Sequence, residues 1–201
     1  MLTLLKNSNR TERILVTLKA LGSTDLQITE VDAEPEFIYQ RGDVKLNDSN
    51  EVLKALCAES PLYGTLPAEM KEQADEWLKF CYEQLETPAT VLTWLQNGTL
   101  TRDQVPPLAE KKARSDIMML LRKIEVRLKE SPFLAGNDLS IADIAVGTCL
   151  RPLFVHVLGE VERKNNQSMC VWIEKLYKSA AFMEVFGETT LLVSAKKGKK
   201  K

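Results

Sequence analysis

The side chains best suited to catalysis or metal binding are few and scattered. The chain has one histidine, His156, and four cysteines, Cys57, Cys81, Cys149 and Cys170, which show no CxxC spacing. Three of the cysteines stand among apolar residues, a pattern typical of reduced core thiols. A zinc site takes roughly four clustered ligands, so we expect neither a metal nor another cofactor. The apolar surroundings of His156 favour a packed or interface residue over a general base.

A polar pair, Asp48 and Ser49, stands where a predicted strand turns into a predicted helix. Side-chain oxygens at this point can accept from the first free amides of the helix and so cap it. The same helix N-terminus can hold an anion such as a carboxylate. The pair is therefore either a structural cap or part of an anion site, and the residues alone leave both interpretations open.

A second polar pair, Ser140 and Asp143, has the spacing of a capping box. Ser140 can accept from the amide of Asp143, while the Asp143 carboxylate reaches back to the amide of Ser140. The segment 133–139 before the pair contains Gly136 and predicts a turn. The almost wholly apolar run 144–150 predicts a helix that passes through a core, from Ser140 to about 158.

Composition predicts a globular protein with an asymmetric charge. The chain has 201 residues, 44% of them hydrophobic, which suits one large domain or two small ones. No window approaches the roughly 20 apolar residues of a membrane span, and the N-terminus lacks signal-peptide features, so we expect a cytoplasmic location. Five of the 27 basic residues lie in the last six positions, which leaves 22 basic against 28 acidic residues elsewhere.

The pattern of apolar residues changes about one third of the way along the chain. The first part alternates like strands, with Gly22 ending a helix and a turn at 41–43 joining two strands. After a Pro- and Gly-containing connection at 60–67, apolar residues recur every three or four positions, as in helices. The predicted elements are strands at 2–5, 26–31, 37–40 and 44–46, and helices at 11–21, 51–58, around 70–85, around 117–128, at 140–158 and within 169–186.

This organisation resembles the glutathione-transferase superfamily over about residues 1–187. The turn and capping box at 133–143 resemble the family's sixth-helix element, and Asp48 and Ser49 match its strand-to-helix motif. The resemblance implies an α/β plus all-α fold: a thioredoxin-like N-terminal half that lacks the second helix, then an all-helical half. It places a first subdomain at 1–60, a second at 68–187 and a lysine-rich tail at 188–201.

The resemblance also implies a glutathione site that is only half built. In active transferases the acidic residue and serine matched by Asp48 and Ser49 hold the γ-glutamyl carboxylate. The family's cis-proline position falls at Phe37, and the link from Val31 to Phe37 is too short for the helix that lines the glycyl end. Ser8 stands near the catalytic position and could lower a thiol pKa. We expect a vestigial glutathione site at Asp48 and Ser49 and no catalytic residue.

Among family members, the chain most resembles the noncatalytic N-terminal domains of aminoacyl-tRNA synthetases, glutamyl-type above all, and their tRNA-binding or tRNA-importing auxiliary proteins. The resemblance implies an interaction domain that scaffolds a multi-synthetase complex through homo- or heterodimeric contacts with other such domains. Two alternatives stay open. One is a glutathione-dependent transferase, and the other is a translation subunit like elongation factor 1B gamma.

The resemblance implies two docking surfaces. The first uses the helix after Ser49 and the first long helix, with candidates Leu53, Leu56, Trp77 and Tyr82. The second uses the end of the capping-box helix, with candidates Arg151, Pro152 and His156. Because Arg151 interrupts an apolar run, it must reach solvent, a carboxylate or a stacked partner. Pairing within its own domain, for instance with Glu160 or Glu162, is the alternative to an interface role.

The last predicted feature is a lysine-rich tail that could bind a polyanion. Its lysines, Lys196, Lys197, Lys199, Lys200 and Lys201, could bind the phosphates of tRNA without reading bases, since no aromatic residues lie between them. The alternative is a solvated linker. No membrane span is expected.

Overall fold

The computed structural model describes residues 1–5, 8–23, 27–32 and 37–192. Its N-terminal part has four strands, β1 (Leu2–Leu5), β2 (Ile28–Val31), β3 (Phe37–Arg41) and β4 (Val44–Leu46). They form a mixed sheet in the order β2-β1-β3-β4. β1 runs parallel to β2 and antiparallel to β3, and β4 is antiparallel to β3.

Two helices accompany the sheet, α1 (Asn9–Ala20) and α2 (Ser49–Leu56). α1 begins two residues earlier than predicted because the Ser8 hydroxyl accepts from the Arg10 amide at 3.2 Å. Leu2 and Leu4 of β1 and Val52 and Leu53 of α2 are fully buried, so the sheet and helices share a core. β2 ends at Val31 and β3 begins at Phe37, and the predicted absence of the family's second helix falls on residues 33–36, outside the described residues.

The remainder of the described chain is helical, as predicted. A five-residue π-helical segment, here called the π turn (Cys81–Leu85), joins the first two helices of this half and marks a local irregularity in the backbone. The helices are α3 (Ala68–Phe80), α4 (Glu86–Asn97), α5 (Pro107–Glu130), α6 (Ile141–His156), α7 (Glu160–Lys164), α8 (Gln167–Tyr177) and α9 (Ala180–Phe186).

The connection between the two halves contains a tight approach at Gly64. An added Cβ there would lie 1.7 Å from the Ala58 carbonyl oxygen, so no larger residue fits without moving the backbone. The Gly64 amide also donates to the Cys57 carbonyl at 2.9 Å. The Pro- and Gly-containing segment read from the sequence is therefore a folded turn rather than a loose linker.

α6 forms the centre of the helical half. Every residue from Ile141 to Leu150 is buried, which confirms the expectation of a helix within a core. α6 packs against α1, α3 and α4, so it contacts both halves of the chain. The buried residues form one cluster that runs through both predicted subdomains. In the described part of the chain, no helix is long and apolar enough to cross a membrane.

Candidate functional site

The N-terminus of α2 is closed by its own cap. One carboxylate oxygen of Asp48 accepts from the amides of Asn50 and Glu51 at 2.9 and 3.0 Å. These amides are among the donors that a helix N-terminus offers to an external anion. Asp48 therefore acts as the structural cap that its position allowed, and it occupies part of the anion-binding capacity of the helix.

Ser49 faces inward at the same helix end. The residue is fully buried, and its hydroxyl has no hydrogen-bond partner among the described residues. The hydroxyl is therefore shielded from solvent, and a γ-glutamyl carboxylate approaching from solvent could not contact it. The two residues matched to the family's motif thus lie next to each other, with one carboxylate oxygen of Asp48 used by the cap and the Ser49 hydroxyl buried.

The catalytic-loop position is occupied by a helix cap. Ser8 caps α1, so part of its hydrogen-bonding capacity is used within the backbone. Phe37, at the position where the family carries its cis-proline, pairs with Leu4 in the antiparallel ladder of β3 and β1. Residues 33–36, which include the nearest proline at Pro35, lie outside the described residues.

The four residues of the first predicted docking surface do not share one surface. Leu53 is 0% exposed and Trp77 is 8% exposed. Leu56 is half-buried beside a cavity that Met1 also lines, while Tyr82 is 40% exposed with the Arg10 guanidinium over its ring at 4.7 Å. Sequence spacing alone did not separate the buried faces of these helices from their exposed ones. Because Leu53 is buried, it can stabilise a docking surface by packing in the core below it, but it cannot contact a partner.

Beside α3, the helix α5 exposes apolar side chains close to the buried rings of Trp77 and Phe80; of these residues only Trp77 was named from the sequence. Trp77 and Phe80 meet edge to face at 5.0 Å, and the Lys123 ammonium lies over the Phe80 ring at 4.8 Å. On α5, Met119 is 65% exposed and Val126 is 50% exposed, and both lie on the same side of the helix as Lys123. We call these five residues the α3–α5 surface. In the sequence, the spacing of residues 119, 123 and 126, which places them on one side of a helix, could have indicated this surface.

At the second predicted surface, Arg151 is held by its own chain. Its guanidinium stacks on Phe186 at 4.2 Å and donates to the Thr189 hydroxyl at 3.2 Å. The alternative of pairing within its own domain is thus confirmed, through a stacked partner and a hydroxyl; no ion pair of Arg151 with Glu160 or Glu162 is found among the described residues. Arg151 therefore joins α6 to α9 and the segment after it.

Pro152 and His156 lie one turn apart and so share a side of α6. Pro152 is half-buried and His156 is exposed. Of the three residues predicted at this helix end, His156 has the most exposed side chain, and Arg151 is directed toward α9. The lysine tail, including all five predicted phosphate ligands, lies outside the described residues.

The capping box supports a larger buried network around Asp143. Its carboxylate accepts from the Ser140 amide and hydroxyl, from the Leu134 amide and from the Trp172 indole, at 2.8 to 3.0 Å. Burial raises the pKa of Asp143, and these hydrogen bonds oppose the rise. The single carboxylate thus ties the turn before α6, the start of α6 and α8 together.

A buried ion pair joins the two halves of the chain. The Arg13 side chain is 0% exposed and donates to Glu86, whose other carboxylate oxygen accepts from Arg10 Nε at 3.0 Å. Arg13 and Arg10 lie on α1, and Glu86 is the first residue of α4. The sequence reading missed this pair because the residues are 73 positions apart. Within the described ranges, no cluster of His, Cys, Asp or Glu could hold a metal ion.

Comparison with known proteins finds similarity to glutathione-transferase-like proteins. Residues 93–162 match the family model described as glutathione S-transferase, C-terminal domain. Glutathione S-transferase-like protein FUS3 of Gibberella moniliformis is 25% identical over 125 residues, which are 62% of this chain and 56% of that protein. The chain therefore spans little more than half the length of this relative.

Two translation proteins are also similar. Probable elongation factor 1-gamma of Caenorhabditis elegans is 25% identical over 190 residues, covering 94% of this chain and 46% of that protein. Valine–tRNA ligase of Takifugu rubripes is 23% identical over 124 residues, covering 62% of this chain and 10% of that protein.

A solved structure extends the likeness to the whole fold. Glutathione transferase F2 from Populus trichocarpa superposes with a TM-score of 0.77 at 20% identity, covering 92% of this chain and 95% of that one. The thioredoxin-like first half and the helical second half agree with the sequence-based expectation. The chain has a glutathione-transferase-like fold, with a thioredoxin-like N-terminal half and a helical half of which residues 93–162 match the transferase C-terminal-domain model.

Proposed function

We propose that this chain is a noncatalytic glutathione-transferase-like docking domain that scaffolds aminoacyl-tRNA synthetases in the cytoplasm. The observation that carries the proposal is the closed N-terminus of α2. Asp48 holds two of its free amides, and the Ser49 hydroxyl is buried. A transferase of this fold would need those groups to anchor its cosubstrate, so the fold serves here for its surfaces.

The surfaces supply a physical basis for docking. The α3–α5 surface exposes Met119 and Val126, apolar side chains that a partner could bury, while the rings of Trp77 and Phe80 support it from within the core. The end of α6 offers Pro152 and His156 on another part of the molecule. Two separate surfaces allow the domain to pair with a like domain through one and with a second partner through the other.

The choice of partner follows from the relatives. A valine–tRNA ligase aligns with 62% of this chain, which supports partners among the transferase-like domains of synthetases or their auxiliary proteins. The lysines of the tail would then add salt-sensitive contacts to tRNA phosphates. Homodimers and heterodimers both fit the two surfaces.

Glutathione binding tests the noncatalytic part of the proposal. We expect isothermal titration calorimetry of the purified chain with reduced glutathione to show no saturable heat, because the anchoring groups are capped or buried. The matched variant Ser49→Ala should behave like the wild type in this titration and should fold at least as stably, since it removes an unpaired buried hydroxyl. Saturable binding with a dissociation constant of about 1 mM or tighter, lost in Ser49→Ala, would contradict the proposal.

A second candidate function is that of an elongation-factor subunit. The alignment with elongation factor 1-gamma covers 94% of this chain, including its N-terminal half. This candidate also requires docking without catalysis, so the glutathione titration does not separate it from the first. Co-sedimentation with purified elongation-factor subunits and, in parallel, with synthetase domains separates the two.

A further inference from the structure

Two thiols that are distant in sequence meet in the core between the π turn and α6. The Cys81 thiol lies 3.6 Å from the carbonyl oxygen of Ala145, and Cys149 is one helical turn beyond Ala145. In an α-helix the amide of each residue donates to the carbonyl four positions earlier, so the backbone of Cys149 lies beside the same Ala145 oxygen. Both residues are at most 1% exposed. The fold thus places the Cys81 thiol next to Cys149 in a setting that excludes bulk water.

A buried cation lies beside this pair. Arg13 Nη2 is 3.8 Å from the Cys81 sulfur, and the guanidinium also pairs with Glu86. The neighbouring Cys149 thiol lowers the pKa of Cys81 and burial opposes this, while the Arg13 charge lowers the pKa further and the Glu86 charge raises it. Cys57 is a useful contrast, because burial without such partners raises its pKa to about 12. Of Cys81 and Cys149, Cys81 is therefore the thiol that more readily forms a reactive thiolate.

We propose that Cys81 and Cys149 form a reversible intramolecular disulfide when the protein meets a small hydroperoxide. The Cys81 thiolate attacks one peroxide oxygen, the O–O bond breaks, and Cys81 becomes a sulfenic acid while the leaving oxygen takes a proton. Cys149 then loses its proton and attacks the Cys81 sulfur, and the sulfenic oxygen leaves as water. Two electrons pass from the thiols to the peroxide, and a thiol reductant reverses the reaction.

The position of the pair explains why a small oxidant is required and what the crosslink would do. Both sulfurs are buried, so the oxidant reaches them through local opening, for which the irregular backbone of the π turn is suited. The disulfide would tie the π turn to α6 across a long chain segment. We expect oxidation to raise Tm by about 5–10 °C.

Peptide mapping tests the proposal on the purified full chain. The protein is treated with hydrogen peroxide, its free thiols are alkylated in denaturant, and it is digested without reductant. We expect a linked peptide pair carrying Cys81 and Cys149, an alkylated Cys57, the rise in Tm, and full reversal by dithiothreitol. The matched control Cys57→Ser should give the same map as the wild type.

A trapping experiment identifies the first sulfur to react. In Cys149→Ala, or Cys149→Ser if the former does not fold, dimedone should label Cys81 and the rise in Tm should vanish. The proposal is overturned if Cys81 and Cys149 stay alkylatable while the half-buried Cys170 is oxidised. It is equally overturned if Cys81 is oxidised in the wild type without a link to Cys149.

Discussion

Replacing Glu86 with glutamine is expected to lower the free energy of unfolding by about 3–5 kcal/mol, because it leaves the Arg13 charge buried without a counterion. The Arg13 side chain is 0% exposed, so water cannot take over the role of Glu86. Chemical denaturation monitored by far-ultraviolet circular dichroism measures the change. Since Arg13 lies on α1 and Glu86 begins α4, the loss weakens the attachment of the two halves to each other.

The matched control is Glu83→Gln. Glu83 lies in the π turn, three residues before Glu86, but it is exposed, so its substitution should change stability by less than about 0.5 kcal/mol.

A double variant separates the burial of charge from the loss of packing. Arg13→Met combined with Glu86→Leu should recover most of the stability lost in Glu86→Gln, because the pair is then replaced by apolar groups. A loss no greater in Glu86→Gln than in Glu83→Gln would contradict the importance of the ion pair.

Replacing Asp143 with alanine is the second change with a large expected effect, about 3–5 kcal/mol. The substitution removes the acceptor for two backbone amides and one indole N–H, all of them buried, and each unsatisfied donor costs about 1–3 kcal/mol. Part of this cost is offset because the buried carboxylate no longer has to be desolvated. The expected fall in Tm is about 10 °C, measured by differential scanning calorimetry.

Asp138→Ala is the matched control for this prediction. Asp138 lies in the same turn before α6 but is exposed, so its substitution should change Tm little. Trp172 offers a direct readout, since its indole donates to Asp143 at 2.9 Å. The tryptophan emission of Asp143→Ala should change even where the protein is still folded. An unchanged emission spectrum with an unchanged Tm would mean that Asp143 does not organise the start of α6.

The sequence predicted those features that depend on near neighbours along the chain. The Ser140–Asp143 pair, the Asp48 cap and the turn at Gly42 each involve residues within a few positions, and each was confirmed. The change in apolar periodicity predicted strands followed by helices, but no predicted element covered α4 or α7. Even there, the start of α1 was misplaced, because the capping role of Ser8 was not recognised.

Features that depend on which helix faces meet were not predictable in the same way. Periodicity indicates that a helix has an apolar side, but it does not say which neighbour covers that side. Leu53 is therefore buried while Tyr82 is exposed, although both were candidates for the same surface. The stacking of Arg151 on Phe186 and the meeting of Cys81 with Cys149 likewise required the tertiary structure.

The measurement that tests docking most directly is sedimentation velocity of this chain mixed with a purified transferase-like domain of a synthetase from the same organism. We predict a stable complex for the wild type. The affinity should be about tenfold weaker for Met119→Glu or for His156→Glu, because both side chains are exposed and their substitution leaves the core intact. Separate sedimentation of the two proteins at about 10 µM, with every such synthetase domain tried, would contradict it.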